Sequence, residues 1–534
     1  MMAPRPHPPI EEKSSKEKIT RAAGAVSLAT LISRILGFVR DMIIANLFGA
    51  KVAADAFFIA FRIPNLLRRL TAEGAMTAAF VPIFVDSLEK DGKQKAFALT
   101  CNIVTILAVA LTLLSALGVI FAPQVVRVVA PGFVSEPYTF ALTTMLTRYL
   151  FPYIIFISVS AVLMAALNSM GKFFIPALAP ALLNVAIITS ALALHDEFEE
   201  PTVALAIGVL IGGVLQLITQ IIPLMRLGWR YVPSFSLKDA DTKKVGLLMI
   251  PAAFGMAVAE INVFVDTMLA SVLPEGSISY LYYGNRVTQF PLGVFGVAIG
   301  IAALPSMAGE VSRGAKDKLV ELVSHSFRLI LFISLPATVG LIVLAGPITN
   351  VLFERGEFDS MARHGVITAI VYYAIGLVAF SGVKVIASAF YSLKDTGTPV
   401  RVAAWCMALN ILLNILLMIP LKHGGLALAT SISSMVNLTL LLWLLGRKLG
   451  GINGEEIINA SIPMIAGATF MAVFVWRYAS VFFDYGGSIF NRSIHLGVAI
   501  FIGAFIYAMV LLTFGSKEAL VVKEKIFGRF TKKK

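Results

Sequence analysis

Long apolar runs separated by short polar stretches cover nearly the whole chain. About 20 apolar residues in a helix cross a hydrocarbon core about 30 Å thick. The pattern predicts fourteen such spans, at 24–48, 53–88, 95–122, 140–167, 174–194, 203–226, 245–272, 278–309, 325–352, 364–392, 399–420, 424–446, 456–480 and 493–515. The second and eighth are long and carry Pro64 and Pro291. A proline removes a backbone hydrogen bond and crowds the preceding turn, so both spans are predicted to bend or break. At membrane depth such breaks persist only where protein or a water-filled cavity covers the freed groups. The predicted fold is an all-α polytopic membrane protein.

Composition supports that class. Of 534 residues, 58% are hydrophobic and 14% charged, against about 45–50% and 25% in soluble domains. The net charge of +13 would suggest nucleic acid in a soluble protein. Here the polar stretches sort by sign instead. KDGKQ, MRLGWRYVPSFSLKDADTKK, SRGAKDK, LKDTGTPVR, GRKLGG and both terminal segments fall on one side and are mostly basic. HDEFEEP and LPEGS fall on the other and are acidic. Lys and Arg collect in cytoplasmic loops, which places both termini in the cytoplasm. The C-terminal KEALVVKEKIFGRFTKKK suits anionic lipid headgroups; no nucleic-acid partner is expected.

Enzyme chemistry finds little support. Cys101 and Cys406 lie in apolar runs, and the six histidines show no HExxH spacing. The pair Asp239 and Asp241 forms a lone DxD beside Lys243 and Lys244. No phosphate loop of the Walker type appears.

The two halves of the chain match at a nearly constant offset. Pro82 and Pro305 are 223 residues apart, as are Ser169 and Ser392, and Pro176 and Pro399. FVRDM at 38–42 faces FVDTM at 264–268, an offset of 226. Six spans separate each pair, so the repeat is parallel. Such repeats commonly hold a substrate between two halves that alternate access.

Charge within the spans narrows the chemistry. A charged side chain at mid-bilayer costs about 2.5–3.5 kcal/mol on insertion scales, so several must face a wet or protein-lined interior. Arg34 and Asp41 are seven apart, and Asp55, Arg62 and Arg69 repeat at seven, which keeps each set near one helix face. Arg286 stands alone among uncharged residues in YLYYGNRVTQFP. Arginine's planar fork matches phosphate oxygens and stays charged at any working pH. The excess of arginine reads as a cationic cavity for a phosphate-bearing anion. Each residue also has a plainer reading. Arg34, Arg68 and Arg69 suit interface anchors whose head groups reach the surface. Arg40 with Asp41 suits a structural pair, Asp55 with Lys51 a turn flank, and Lys384 a buried structural cation.

SRILGFVRDMIIANLFGA, ADAFFIAFRIPNLLRRLTAEGAMTAAFVP and YYGNRVTQFPLGVFGVAIG closely resemble the MurJ/MviN lipid II flippase family. APGF at 130–133, FPYI at 151–154, ALAPALLN at 177–184 and FYSLKDTGTPV at 390–400 also fit. The family belongs to the class of multidrug, oligosaccharide-lipid and polysaccharide exporters. The resemblance implies a transporter of the bacterial inner membrane with two six-helix lobes, at 24–228 and 229–448, and a helix pair at 449–515 lining a lipid-tail groove. Residues 1–23 and 516–534 would be cytoplasmic tails. The substrate would be lipid II, passed from the cytoplasmic to the periplasmic leaflet for peptidoglycan synthesis. Membrane lipids and cell-wall or division proteins would be its other partners. By the same resemblance, cavity arginines fall on Arg34, Arg40, Arg68 and Arg286, and acidic positions on Asp41, Asp55 and Glu73. Polar neighbours fall on Ser33, Asn65 and Ser279. Asn285 and Gln289 stand where acidic residues are common in relatives. A sodium site would draw on Asp266, Asn410, Asn414 and Thr430, with Glu260 as an alternative carboxylate. The membrane potential is the other driving force. An exporter of another polyprenyl-linked oligosaccharide is the rival function; a cationic-drug exporter would want an acidic cavity.

Overall fold

The computed structural model describes residues 10–69, 75–521 and 524, without side chains at 10–23, 25, 75 and 252–259. Glu73 lies outside the described residues, as do the ends of both tails. Contacts divide the chain into two compact units. One holds residues up to Phe48 and Val52–Met268; the other holds Gly49–Lys51 and residues from Leu269 on.

The first unit is built from α1 (Ile10–Phe48), α2 (Val52–Arg68), α3 (Ala75–Lys90), α4 (Lys93–Ile120), α5 (Ala122–Val129), α6 (Pro137–Leu150), α7 (Tyr153–Ser169), α8 (Phe174–Leu194), α9 (Thr202–Arg226) and most of α10 (Ala240–Ser271). The second continues with α11 (Ser277–Pro291), α12 (Val297–Ser312), α13 (Lys316–Val343), α14 (Ala345–Leu352), α15 (Ser360–Ile375), α16 (Leu377–Ser392), α17 (Gly397–Leu421), α18 (His423–Leu449), α19 (Gly454–Phe482) and α20 (Ile489–Thr513). Helix is the expected answer to the composition, because lipid offers no partner to an unsatisfied backbone group. Among the described residues, eleven helical stretches are long and apolar enough to cross a membrane. The other three predicted spans fall on α1, on α2 with α3, and on α10. Charge or undescribed residues interrupt each of these.

The element bounds carry the repeat further than single residues did. Shifting α4 and α5 by 223 gives the bounds of α13 and α14. The same shift carries the start of α8 from Phe174 to Gly397 and the end of α9 from Arg226 to Leu449. It also carries the end of α1, Phe48, to Ser271, the end of α10. The FVRDM and FVDTM stretches are three residues out of that frame.

Breaks only partly follow the prolines. α11 ends at Pro291, and a wide turn over Leu292–Gly296 leads into α12. α2 by contrast runs through Pro64 to Arg68, so this proline does not end its helix. Unpredicted breaks separate α6 from α7 at Phe151 and Pro152, α13 from α14 at Leu344, and α15 from α16 at Gly376.

Small residues set the closest helix approaches, as in membrane bundles generally. A Cβ at Gly208 of α9 would lie 2.7 Å from the Ile187 Cα of α8, and one at Gly212 would lie 2.9 Å from the Leu183 Cα. In the second unit a Cβ at Gly284 would meet the Ala369 methyl at 2.6 Å, which locks α11 onto α15. Tyr283 beside it is fully buried and packs on Phe353 and Phe358 at 4.9 and 5.8 Å between ring centroids.

Polar ties hold the connections. Asn102 of α4 accepts from the Ser236 amide at 2.7 Å and donates to the Ser236 carbonyl at 2.8 Å, fastening the 229–239 strap. In the α16–α17 turn, Asp395 accepts from Lys448 at 2.6 Å and from the Thr398 amide at 3.0 Å. The Lys448 hydrogen bond and the Thr398 amide hold the Asp395 carboxyl down at about 2. Buried Arg328 of α13 pairs with Glu456 at the start of α19 and with Glu518 beyond α20, the latter at 3.2 Å. That pairing fixes the terminal helix pair and the first residues after it to the second unit.

Candidate functional site

In the first unit the charges of α1 and α2 are organised by neighbouring helices. Arg40 places its Nε and Nη2 on Asp41 Oδ1 at 3.0 and 2.6 Å. Its Nη1 donates to Asn184 Oδ1 of α8 at 3.1 Å, and Asn184 Nδ2 donates to the Ser33 carbonyl at 3.1 Å. Asp41 is fully buried. A buried carboxylate is tolerable only when paired and hydrogen-bonded, and this network supplies both. It favours the structural reading of the Arg40–Asp41 pair. Arg34, six residues earlier, is exposed.

Along α2, Asp55 is buried near the start and Arg68 is half-buried at the end. Arg68 Nε donates to Asn65 Oδ1 at 3.2 Å, and Asn65 Nδ2 donates to the Phe61 carbonyl at 3.0 Å. Arg62 donates to Thr267 of α10. Arg69 pairs with Glu260 of α10 at 3.0 Å. The seventh span therefore presents a carboxylate and a hydroxyl to two of the arginines that repeat at seven. Sequence spacing finds those arginines but not their partners. It likewise misses Asn184, although this residue ends the ALAPALLN stretch and is a rare polar residue in an apolar run.

In the second unit Ser279 is fully buried and Arg286 half-buried on α11, seven residues apart. Gln289 donates to Asn285 one turn away on α11. Asn410 and Asn414 of α17 are buried. Asn414 Nδ2 donates to Asn410 Oδ1 at 3.0 Å, and Asn410 Nδ2 to Thr430 Oγ1 of α18 at 3.4 Å. These oxygens are hard donors of the kind small cations accept, and they also form an interhelical hydrogen-bond chain. Asp266 belongs to the first unit. Among the described residues no group of three His, Cys, Asp or Glu side chains is placed to hold a metal ion.

Half-buried arginines on membrane helices suit an anionic phosphate, and the groups beside them are amides, hydroxyls and the carboxylates of Asp41 and Glu260. The family model described as lipid II flippase MurJ matches residues 44–495. The probable lipid II flippase MurJ of Vibrio cholerae is 36% identical over 514 residues, covering 94% of this chain and 98% of the relative. The lipid II flippase MurJ of Burkholderia cenocepacia is 36% identical over 475 residues, covering 88% and 91%. A solved lipid II flippase MurJ in an inward closed conformation superposes with a TM-score of 0.77 at 26% identity, covering 92% of this chain and 99% of that one. The chain belongs to the lipid II flippase MurJ family.

Proposed function

We propose that this protein carries lipid II from the cytoplasmic to the periplasmic leaflet of the bacterial inner membrane by alternating access, with both termini cytoplasmic. It acts as a transporter, not as an enzyme. The observation that carries the reading is the set of half-buried arginines, Arg68 and Arg286 foremost, in a chain of this family. A pyrophosphate takes bidentate, charge-assisted hydrogen bonds from guanidinium groups, about twice as strong as neutral ones. Arg34, exposed on α1, adds to the positive charge of the first unit. Asp41 holds Arg40, which in turn donates to Asn184 of α8, and Asp55 lies buried near the start of α2. Asn65 aims Arg68, and Ser279 offers a hydroxyl two turns from Arg286. Glu73 completes the acidic set by resemblance. The sugar and peptide fill the wet space, and the polyprenyl tail stays in lipid along α19 and α20. Expressed in cells depleted of their own lipid II flippase, the chain is expected to restore growth. A well-folded chain that fails to do so would shift the substrate to another polyprenyl-linked oligosaccharide.

Sodium would sit on Asn410, Asn414 and Thr430, and the membrane potential adds about 2.3 kcal/mol per charge per 100 mV. Replacing sodium by potassium outside cells living on this chain is expected to slow them. Unchanged growth would leave the potential as the driving force.

A further inference from the structure

One cavity of the second unit takes no part in the function argued above. It holds about 350 Å³ and lies among α12, α16, α17 and α18. That is near the lower end of small-ligand pockets, about 300–1,000 Å³. Its one charged lining residue is Lys384. No acidic side chain pairs with Lys384 among the described residues. The lining also includes Asn437, whose Oδ1 is buried and without a hydrogen-bond partner. Ser388 is already committed, donating to the Gly300 and Lys384 carbonyls at 3.1 and 3.0 Å. The cavity therefore offers one free cation and one unmet acceptor.

Its place along the helices narrows the ligand. Tyr391 lies one residue before the end of α16, and Pro399 lies in the first turn of α17. The 25 residues of α17 make a helix about 37 Å long, longer than the hydrocarbon core of about 30 Å. Its first turn thus stands at headgroup level, on the end flanked in sequence by Lys394 and Arg401. The rim is apolar: Ile301 is 69% exposed and Val400 59%.

We propose that this cavity binds the headgroup of an acidic phospholipid of the phosphatidylglycerol class. A single ammonium matches the single negative charge of a phosphodiester. A turn of the Asn437 side chain lets the glycerol hydroxyl donate to its Oδ1, and the acyl chains leave over Ile301 and Val400. An ethanolamine headgroup would also donate to Asn437 but would set a second cation beside Lys384. A pyrophosphate would bring more charge than one lysine balances.

The test titrates the purified full chain with dioctanoyl phosphatidylglycerol, dioctanoyl phosphatidylcholine or glycerol 3-phosphate and follows the thermal unfolding midpoint. Binding to the folded state raises that midpoint in a saturable way. The expected result is a saturable rise with phosphatidylglycerol alone. Lys384→Met should weaken it about tenfold or more, Lys384→Arg should retain it, and Asn437→Leu should weaken it several-fold. Equal titrations for wild type and Lys384→Met would overturn the proposal. So would equal effects of the two lipids, or glycerol 3-phosphate acting as well as phosphatidylglycerol. If Lys384→Met does not fold, Asn437→Leu takes its place, and a titration equal to that of wild type would overturn the proposal in the same way. The assay contains no lipid II, so its outcome is independent of the transport reading.

Discussion

Arg286→Ala is expected to abolish rescue of flippase-depleted cells while expression and membrane insertion stay normal. Arg286 sits half-buried on α11, with buried Tyr283 and Gly284 fixing the helix one turn before it. Truncation leaves that packing in place and removes the guanidinium. Losing a charge-assisted contact to phosphate costs about 1.5–3 kcal/mol, or roughly ten- to a hundredfold in binding at 1.4 kcal/mol per decade. An essential step slowed that far does not sustain growth. Arg286→Lys keeps the charge but not the planar fork, and should rescue only in part. Colonies of normal size on Arg286→Ala alone would remove this arginine from the substrate site. Immunoblotting of membranes from the same cells separates loss of function from loss of protein.

The second large effect is on stability. Asp41→Ala takes away the carboxylate that accepts two of Arg40's donors at a fully buried position. Removing one member of a buried ion pair typically costs about 3–5 kcal/mol, because the remaining charge is stranded. The purified variant should unfold at clearly lower temperature or denaturant than wild type. Replacing both partners, Arg40→Met with Asp41→Leu, should recover most of the loss, since a well-packed apolar pair avoids desolvating two charges. A double variant no more stable than Asp41→Ala would mean that packing around α1 and α8, rather than stranded charge, sets the cost.

Much of this architecture is legible in the chain because the bilayer allows few solutions. An apolar run long enough to cross must be a helix, and the 223-residue offset read from three pairs of residues recurs in the bounds of α4, α5, α13 and α14. The helix breaks are harder to read. Hydropathy averages over a window and does not register a turn inside an apolar run, so the breaks at Leu344 and Gly376 leave no mark in it. Pro64 lies inside α2 without ending it, since one missing backbone bond is tolerated where neighbouring helices cover it. Within the candidate site, spacing picks out Arg62 and Arg69 but cannot show that Glu260 and Thr267 of α10 meet them. Those contacts depend on how a helix nearly 200 residues further along the sequence packs. Asn184 is visible only as a polar residue in an apolar run.

The central claim is tested most directly by counting lipid II on each side of the membrane. Cells lacking their own flippase and expressing this chain would be treated with a membrane-impermeant reagent that modifies the exposed headgroup. The account predicts that modified lipid II appears with the wild-type chain and not with Arg286→Ala at equal expression. Lipid II that stays wholly protected while the wild-type chain is present and folded would contradict it.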